Sequence, residues 1–228
     1  MSTIADMRLK QDGLLQDDDG ILALEEKDVF IRHAVTVYSR SRPREKAYDM
    51  AGTNGYEFAL PSDWVEDFSA PRSIEYPLGD QQPTFIPIED VALYRSPTGL
   101  KLRFLRDTIA TTKTARLLYT VPHTVSDTTS TIPSTDEDGV AAAAAGLACE
   151  ALANHYAKTT DSTIGADAVS YRTKSQEYAA RAKRLMALFR ESLGLKEDGA
   201  AAPASGVRDW GSEYQWGEDR LQHPKDRR

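Results

Sequence analysis

The sequence predicts an α+β protein: an α-helical bundle (N-terminal helices plus a C-terminal αα-hairpin) with an inserted small antiparallel β-domain and an extended C-terminal arm. Three observations predict it. Two long helical patterns, one opening on five alanines at 141–145 and one running over about 167–193, are separated by a short polar break at 159–165. Residues 52–122 abandon helical spacing for short runs punctuated by proline and glycine, two of which alternate with period two. From Lys196 the composition turns to Gly, Ala, Pro and Ser, and then to aromatic residues set among charges.

Residues 1–50 read as helical. Ile4, Met7, Leu14 and Leu15 make a loose first segment, which Asp17, Asp18, Asp19 and Gly20 break while offering an N-cap to the next. Leu24, Val29, Phe30, Ala34 and Val37 recur at roughly helical spacing through Ser41, and Pro43 ends the pattern. The triple aspartate does not make a calcium loop. Such a loop needs oxygen ligands at alternating positions and a distal bidentate glutamate, and Asp17, Asp19 and Glu25 or Glu26 lack that spacing.

Within 52–122 the strand-like runs are 56–60, 73–76, 84–88, 91–95, 100–105 and 115–121. Leu100, Leu102 and Phe104 share one face with Lys101 and Arg103 opposite. Ala115, Leu117, Tyr119 and Val121 share another with Arg116 and Thr120 opposite. This period marks half-buried antiparallel strands, and Ser96-Pro97-Thr98-Gly99 is a turn between two of them. A small β-sandwich or open barrel follows.

Residues 123–136 form a polar connection rich in Thr, Ser and Pro, and Thr135 or Asp136 caps the first hairpin helix. The alanine run has high helix propensity and little apolar area, which suits close approach of a neighbouring backbone. Tyr178, Ala182, Leu185, Phe189 and Leu193 make the apolar stripe of the second helix. Arg181, Lys183, Arg184 and Arg190 occupy its other faces, and Gly194 follows as C′. The domain reading is a helical part of 1–50 and 135–194, an inserted β part of 52–122, and a linker and arm of 195–228.

The chain has 228 residues, 40% hydrophobic and 28% charged, with net charge −7 and mean hydropathy −0.50. An acidic balance argues against broad duplex binding, which needs a basic face. No apolar run is long enough for a membrane span, and the N-terminus lacks a secretory pattern, so a soluble protein made in the cytoplasm is expected. The one cysteine, Cys149, excludes an intramolecular disulfide or a cysteine-cluster metal site and reads as a small buried residue. His33, His123, His155 and His223 show no metal-ligand spacing. There is no glycine-rich phosphate loop, nucleophile elbow or zinc signature. No catalytic, cofactor or metal residue is assigned, although His123 with Glu75 is the pair an enzyme would use. Trp210, Tyr214 and Trp216 make the chain end a docking arm, a disordered tail or a tail packed on its own domain, and we read it as a docking arm. The residues point to an assembly module.

Three segments give a resemblance: 60–64 to 73–77 (Leu-Pro-Ser-Asp-Trp … Ser-Ile-Glu-Tyr-Pro), 118–123 (Leu-Tyr-Thr-Val-Pro-His), and the alanine helix through 163–169 to 175–182. In this order the chain resembles the head–tail connector (adaptor, or neck) proteins of long-tailed bacteriophages. The resemblance implies a non-enzymatic virion protein at the head–tail interface. It would form a homo-oligomeric ring, commonly twelvefold, beneath the portal, with DNA passing through the lumen without sequence-specific contact. The partners implied are the portal protein on one face and a tail-completion, stopper or tail-terminator protein on the other. A tail-terminator, tail-completion or baseplate role is the alternative. Trp210, Tyr214 and Trp216 are then expected to dock on the portal, and Ala141, Ala144, Ala145 and Ala148 to pack between ring subunits.

Overall fold

The computed structural model describes residues 2–17, 20–106, 108–158 and 166–194, with the backbone alone described over 166–173. Helix α1 (Ile4–Leu15) starts at a capping box: the Asp6 amide donates to Thr3 Oγ1 at 3.3 Å, and the Thr3 amide donates to the Asp6 carboxylate at 2.8 Å. Of the aspartate run, Asp17 does something other than the expected capping of the next helix, and Asp18 and Asp19 lie outside the described residues. The Asp17 carboxylate accepts the amides of Ile21 and Leu22 at 3.2 and 3.1 Å and so folds the loop. Helix α2 (Leu24–Ser41) is capped instead by Glu26, which accepts the Ala23 amide at 2.9 Å. Its core face is Ile31, Ala34, Val35 and Tyr38, while Leu24 and Val29 are 55% and 58% exposed. The stripe at i, i+3, i+4 and i+7 begins at Ile31, about two turns later than Leu24, where the apolar residues first suggest it.

The helical reading of 1–50 is corrected at its end. Proline 43 has no amide hydrogen and disfavours helix in the residue before it, so α2 stops at Ser41 and Arg44–Ala51 is strand β1. β1 pairs antiparallel with β7 (Thr114–Val121) along its whole length, from Arg44 opposite Val121 to Ala51 opposite Thr114. Four strands run in the order β1-β7-β3-β4, with β3 at Pro71–Glu75 and β4 at Phe85–Ile86. Three more run β2-β6-β5, with β2 at Glu57–Ala59, β5 at Val91–Ser96 and β6 at Gly99–Phe104. The six expected runs are thus β2 to β7. β4 is cut to two residues because Pro83 and Pro87 flank it and a short 3-10 turn, Ile88–Asp90, follows. Ser96 stands opposite Gly99 across the expected turn.

Leu102 and Phe104 from one sheet share a core with Met50, Ile74, Ala115, Leu117, Tyr119 and Val121 from the other, so the β part is a sandwich. Gly52 lies at a crossing where a Cβ would come 1.8 Å from the Ala110 carbonyl oxygen, so no other residue fits.

Helices α3 (Glu137–Lys158) and α4 (Ala166–Ser192) form the hairpin. Ala182, Leu185, Phe189 and Leu193 are buried as the stripe requires. The Tyr178 ring stacks on Tyr156 with centroids 5.6 Å apart. Gly194 turns the chain at φ 70° and donates to the Glu191 carbonyl at 2.9 Å. The helices α1, α2 and α4 surround α3, and their cores contain no residue of the sandwich core. The two parts meet at a waist where β1 leaves α2 and β7 runs into residues 122–136. The linker and arm at 195–228 lie outside the described residues.

Candidate assembly surfaces

The alanine helix is the first candidate. Ala141, Ala144, Ala145 and Ala148 are all 0% exposed in the single chain. Ala141 and Ala144 pack among Ile4, Met7, Ile31 and Tyr38, while Ala145 and Ala148 pack among Leu15, Leu152 and Leu185. The expectation that these four meet a second copy is therefore replaced. A helix enclosed by three others needs small side chains on nearly every face, and these alanines serve packing inside the subunit. The approach is close: a Cβ at Gly146 would sit 3.2 Å from Met186 Cγ, and Gln11 Nε2 donates to the Ala144 carbonyl at 3.4 Å.

At the waist, Asp136 precedes α3 and binds two groups from α2. Tyr38 Oη donates to its carboxylate at 2.6 Å and Arg42 Nη1 at 2.8 Å. Burial alone would raise the Asp136 pKa, but these two bonds outweigh it and hold the carboxyl below its ordinary value. Burial first, and the bond to Asp136 second, push the Tyr38 hydroxyl well above the usual tyrosine range. Arg42 also donates to the Leu193 carbonyl at 3.3 Å, so the end of α4 is tied to the same point. His123 completes the junction. Its amide donates to Ser39 Oγ at 2.9 Å, its Nδ1 lies 2.9 Å from the Thr131 carbonyl, and its ring is 5.1 Å from that of Tyr38. Burial pushes its pKa down, which favours the neutral ring.

At the partly exposed rim of the sandwich, Tyr119 Oη and Lys46 Nζ both donate to Asp63. The Trp64 ring stacks on Tyr119 at 5.7 Å. The Lys46 bond and then the Tyr119 bond lower the Asp63 pKa. Two segments of the sequence resemblance, 60–77 and 118–123, are thus neighbours in space, with Pro71 opposite Tyr119 and Ser73 opposite Leu118.

The remaining sequence candidates separate. Glu75 stands opposite Arg116 on β7. His123 lies seven residues further along, roughly 20 Å at the rise of a strand. These two do not form one site. Cys149 is buried and free, its thiol pushed up to about 11 by burial. Among the described residues no group of three or more His, Cys, Asp or Glu could hold a metal ion, and no helix is long and apolar enough to cross a membrane. Trp210, Tyr214 and Trp216 lie outside the described residues.

Two exposed faces stand out that the motifs did not mark. Lys183, Arg184 and Arg190 line the outer side of α4 around Ala180 and Ala187. On the outer face of β2-β6-β5, Tyr56, Tyr94 and Leu105 are 50%, 39% and 54% exposed around Ala92. Tyr56 and Leu105 flank their strands, where alternation carries no information.

No protein-family model and no curated protein matches the chain. Several solved structures are similar to it, among them the following three. A chain from the neck of an empty gene transfer agent particle, computed with C6 symmetry, is 15% identical at TM-score 0.29, covering 62% of this chain and 74% of that one. A chain from the neck of the native particle, computed with C12 symmetry, is 12% identical at TM-score 0.28, covering 78% and 92%. A chain from the virion of the native particle is 15% identical at TM-score 0.27, covering 77% and 87%. Scores of this size fall short of a shared fold.

Proposed function

We propose that the chain is a structural subunit of the neck of a tailed, phage-like particle: a head–tail adaptor that forms a ring beneath the portal. The order of parts carries the reading. Two helices lead through adjacent strands β1 and β7 into a sandwich, and an alanine-packed hairpin and an arm follow. This is the order on which the sequence resemblance to connector proteins rests. The segments of that resemblance supply packing junctions: Asp63 and Trp64 at Tyr119, His123 at Tyr38 and Ser39, and the alanines inside α3.

In this reading the ring is heterologous, each subunit presenting two different complementary patches, and twelvefold closure is part of the proposal. The buried alanines leave the inter-subunit contacts to outer faces such as that of α4. The arm residues Trp210, Tyr214 and Trp216 contact the portal, a tail-completion or stopper protein binds the opposite face, and DNA passes through the lumen without base contacts. Mixing the full chain with its portal, followed by mass measurement and electron microscopy, tests the reading. A ring on the portal is the expected result. A chain that remains monomeric with the portal present, or that locates to the distal tail of the particle, refutes it.

A further inference from the structure

We infer that the free subunit pairs with a second copy of itself along strand β5, antiparallel and in one register, with Leu93 on the two-fold axis. The inference rests on the sandwich alone and stands apart from the neck reading.

Among the described residues, β5 is the sheet edge that the sequence leaves unprotected. The edge strands of the two sheets are β1, β4, β2 and β5. β4 has two residues and β2 three, and β1 carries Arg44, Glu45, Lys46 and Asp49. Short length and charge both discourage edge pairing. β5 has six residues, Val-Ala-Leu-Tyr-Arg-Ser, with no proline or lysine. Its free hydrogen-bonding groups follow from the neighbouring strand. Phe104 donates its amide to the Tyr56 carbonyl at 2.8 Å, away from β5, and Leu105 donates to the Asp90 carbonyl at 2.8 Å, towards it. This alternation makes Ala92–Arg103 and Tyr94–Lys101 the hydrogen-bonded pairs of β5 and β6. The amides and carbonyls of Leu93 and Arg95 and the carbonyl of Val91 therefore point outward, while the Val91 amide is held by the Ile88 carbonyl.

One register satisfies these groups and packs the side chains. With Leu93 opposite its own copy, the two leucines exchange amide–carbonyl bonds, and each Arg95 amide donates to the opposite Val91 carbonyl. The same register sets Tyr94 of each copy opposite Ala92 of the other, in the non-hydrogen-bonded kind of pair, where side chains come closer. The methyl of Ala92 leaves a depression of about 390 Å³ bordered by Tyr56, Tyr94, Arg103 and Leu105, and the incoming tyrosine ring fills it. The Arg103 guanidinium, 5.1 Å from its own Tyr94 centroid, then has a second ring within reach. On the other face Leu93 stands opposite Leu102, on the core side of its sheet, yet is 44% exposed because no strand flanks it. Its copy covers it. Slipping the pair by two residues towards the turn would set Tyr94 against Tyr94 and leave Ala92 open.

The ends also match in charge. Glu89, which is exposed, and Asp90 precede β5, and Arg95 lies near its end. The antiparallel arrangement brings the arginine of each copy to the acidic end of the other, and opposite charges favour such a pair. The contact is isologous, so it joins two copies and is then used up. The outer faces of the helices stay free for a ring.

The test uses the full chain without portal. Sedimentation of the parent should show a dimer. Leu93→Lys should raise its dissociation constant at least about tenfold, with circular dichroism checking that the chain stays folded. Disulfide trapping then reads the register, in chains that also carry Cys149→Ala to remove the native thiol. Leu93→Cys should crosslink to itself, since the Cα atoms of a hydrogen-bonded pair stand about 5.5 Å apart, within disulfide range. Val91→Cys and Arg95→Cys should each stay unlinked alone, their copies being about 13 Å apart along the strand, and should link when mixed. A parent that sediments as a monomer at the crosslinking concentration, a dimer untouched by Leu93→Lys, or cysteine chains that link in any other pattern overturns the inference.

Discussion

Replacing Ala144 with leucine separates a helix face that packs inside the subunit from one that packs between subunits. Ala144 is 0% exposed and clusters with Ile4, Met7, Ile31, Ala34, Val35 and Tyr38. Its carbonyl already accepts a bond from Gln11 of α1. Three added carbons have no free volume to enter, so they displace α1 or α2 or force an off-rotamer side chain. Overpacking of this sort costs about 1–3 kcal/mol. For a chain of this size each kcal/mol lowers the melting temperature by about 2–4 °C, which predicts a fall of roughly 4–8 °C for a cost near 2 kcal/mol. The assay is thermal unfolding followed by far-ultraviolet circular dichroism, which reports the helices, on the isolated chain at low concentration. The matched control is Ala180→Leu, on the exposed side of α4, where the melting temperature should stay within about 2 °C, as surface substitutions rarely exceed about 0.5 kcal/mol. An Ala144→Leu chain that melts with the parent but no longer assembles would refute the packing argument and return the alanine face to the ring interface.

Gly139→Ala should also destabilise, although alanine is the better helix former by about 1 kcal/mol, because the new Cβ would fall 2.2 Å from Ser192 Oγ and 2.9 Å from its Cβ. Adding Ser192→Gly should recover part of the loss, and chemical denaturation of the single and double variants checks it. For Asp136→Asn we expect a loss of about 1.5–3 kcal/mol at pH 7, the usual contribution of hydrogen bonds to a charged group. The native carboxyl titrates below its ordinary value, so its stabilisation is complete above about pH 4 and disappears as pH falls through the folded-state pKa. Melting curves between pH 7 and 2.5 should therefore show a smaller acid-induced loss in the variant than in the parent. Cys149, whose thiol burial pushes up to about 11, should resist a disulfide-exchange reagent at pH 8 and label only as denaturant opens the helices. Rapid labelling of the native chain would mean that α3 is accessible.

The strands between 52 and 122 were legible because their burial alternates. Leu102 and Phe104 face one way, Lys101 and Arg103 the other, and proline and glycine mark the ends. The α4 stripe was legible for the same reason at helical period, down to Gly194. β1 was not. Its sequence, Arg-Glu-Lys-Ala-Tyr-Asp-Met-Ala, puts only Met50 fully inside, and its strand state comes from pairing with β7, which no local propensity reports. The waist was half legible. Asp136 reads as a cap by position, but its side chain serves Tyr38 and Arg42, ninety-eight and ninety-four residues away. Contacts at that separation leave no trace in a local pattern.

The alanine run shows how one composition supports two opposite readings. Small residues permit close approach of any neighbour, and sequence does not say whose backbone arrives. The number of helices in the subunit decides it. In a two-helix hairpin, half of α3 would face outward and its alanines would be free for a second copy. With α1 and α2 also packed on α3, the faces bearing Ala141, Ala144, Ala145 and Ala148 are used up. In the ring proposed above, contacts between copies would then fall to surfaces with longer side chains, such as the Lys183, Arg184 and Arg190 side of α4. Cations at an exposed interface are screened by salt, whereas a small-residue seam is not. A ring closed through that side should therefore loosen between 0.1 and about 1 M salt, as the Debye length shrinks from about 10 to 3 Å, while the subunit fold persists.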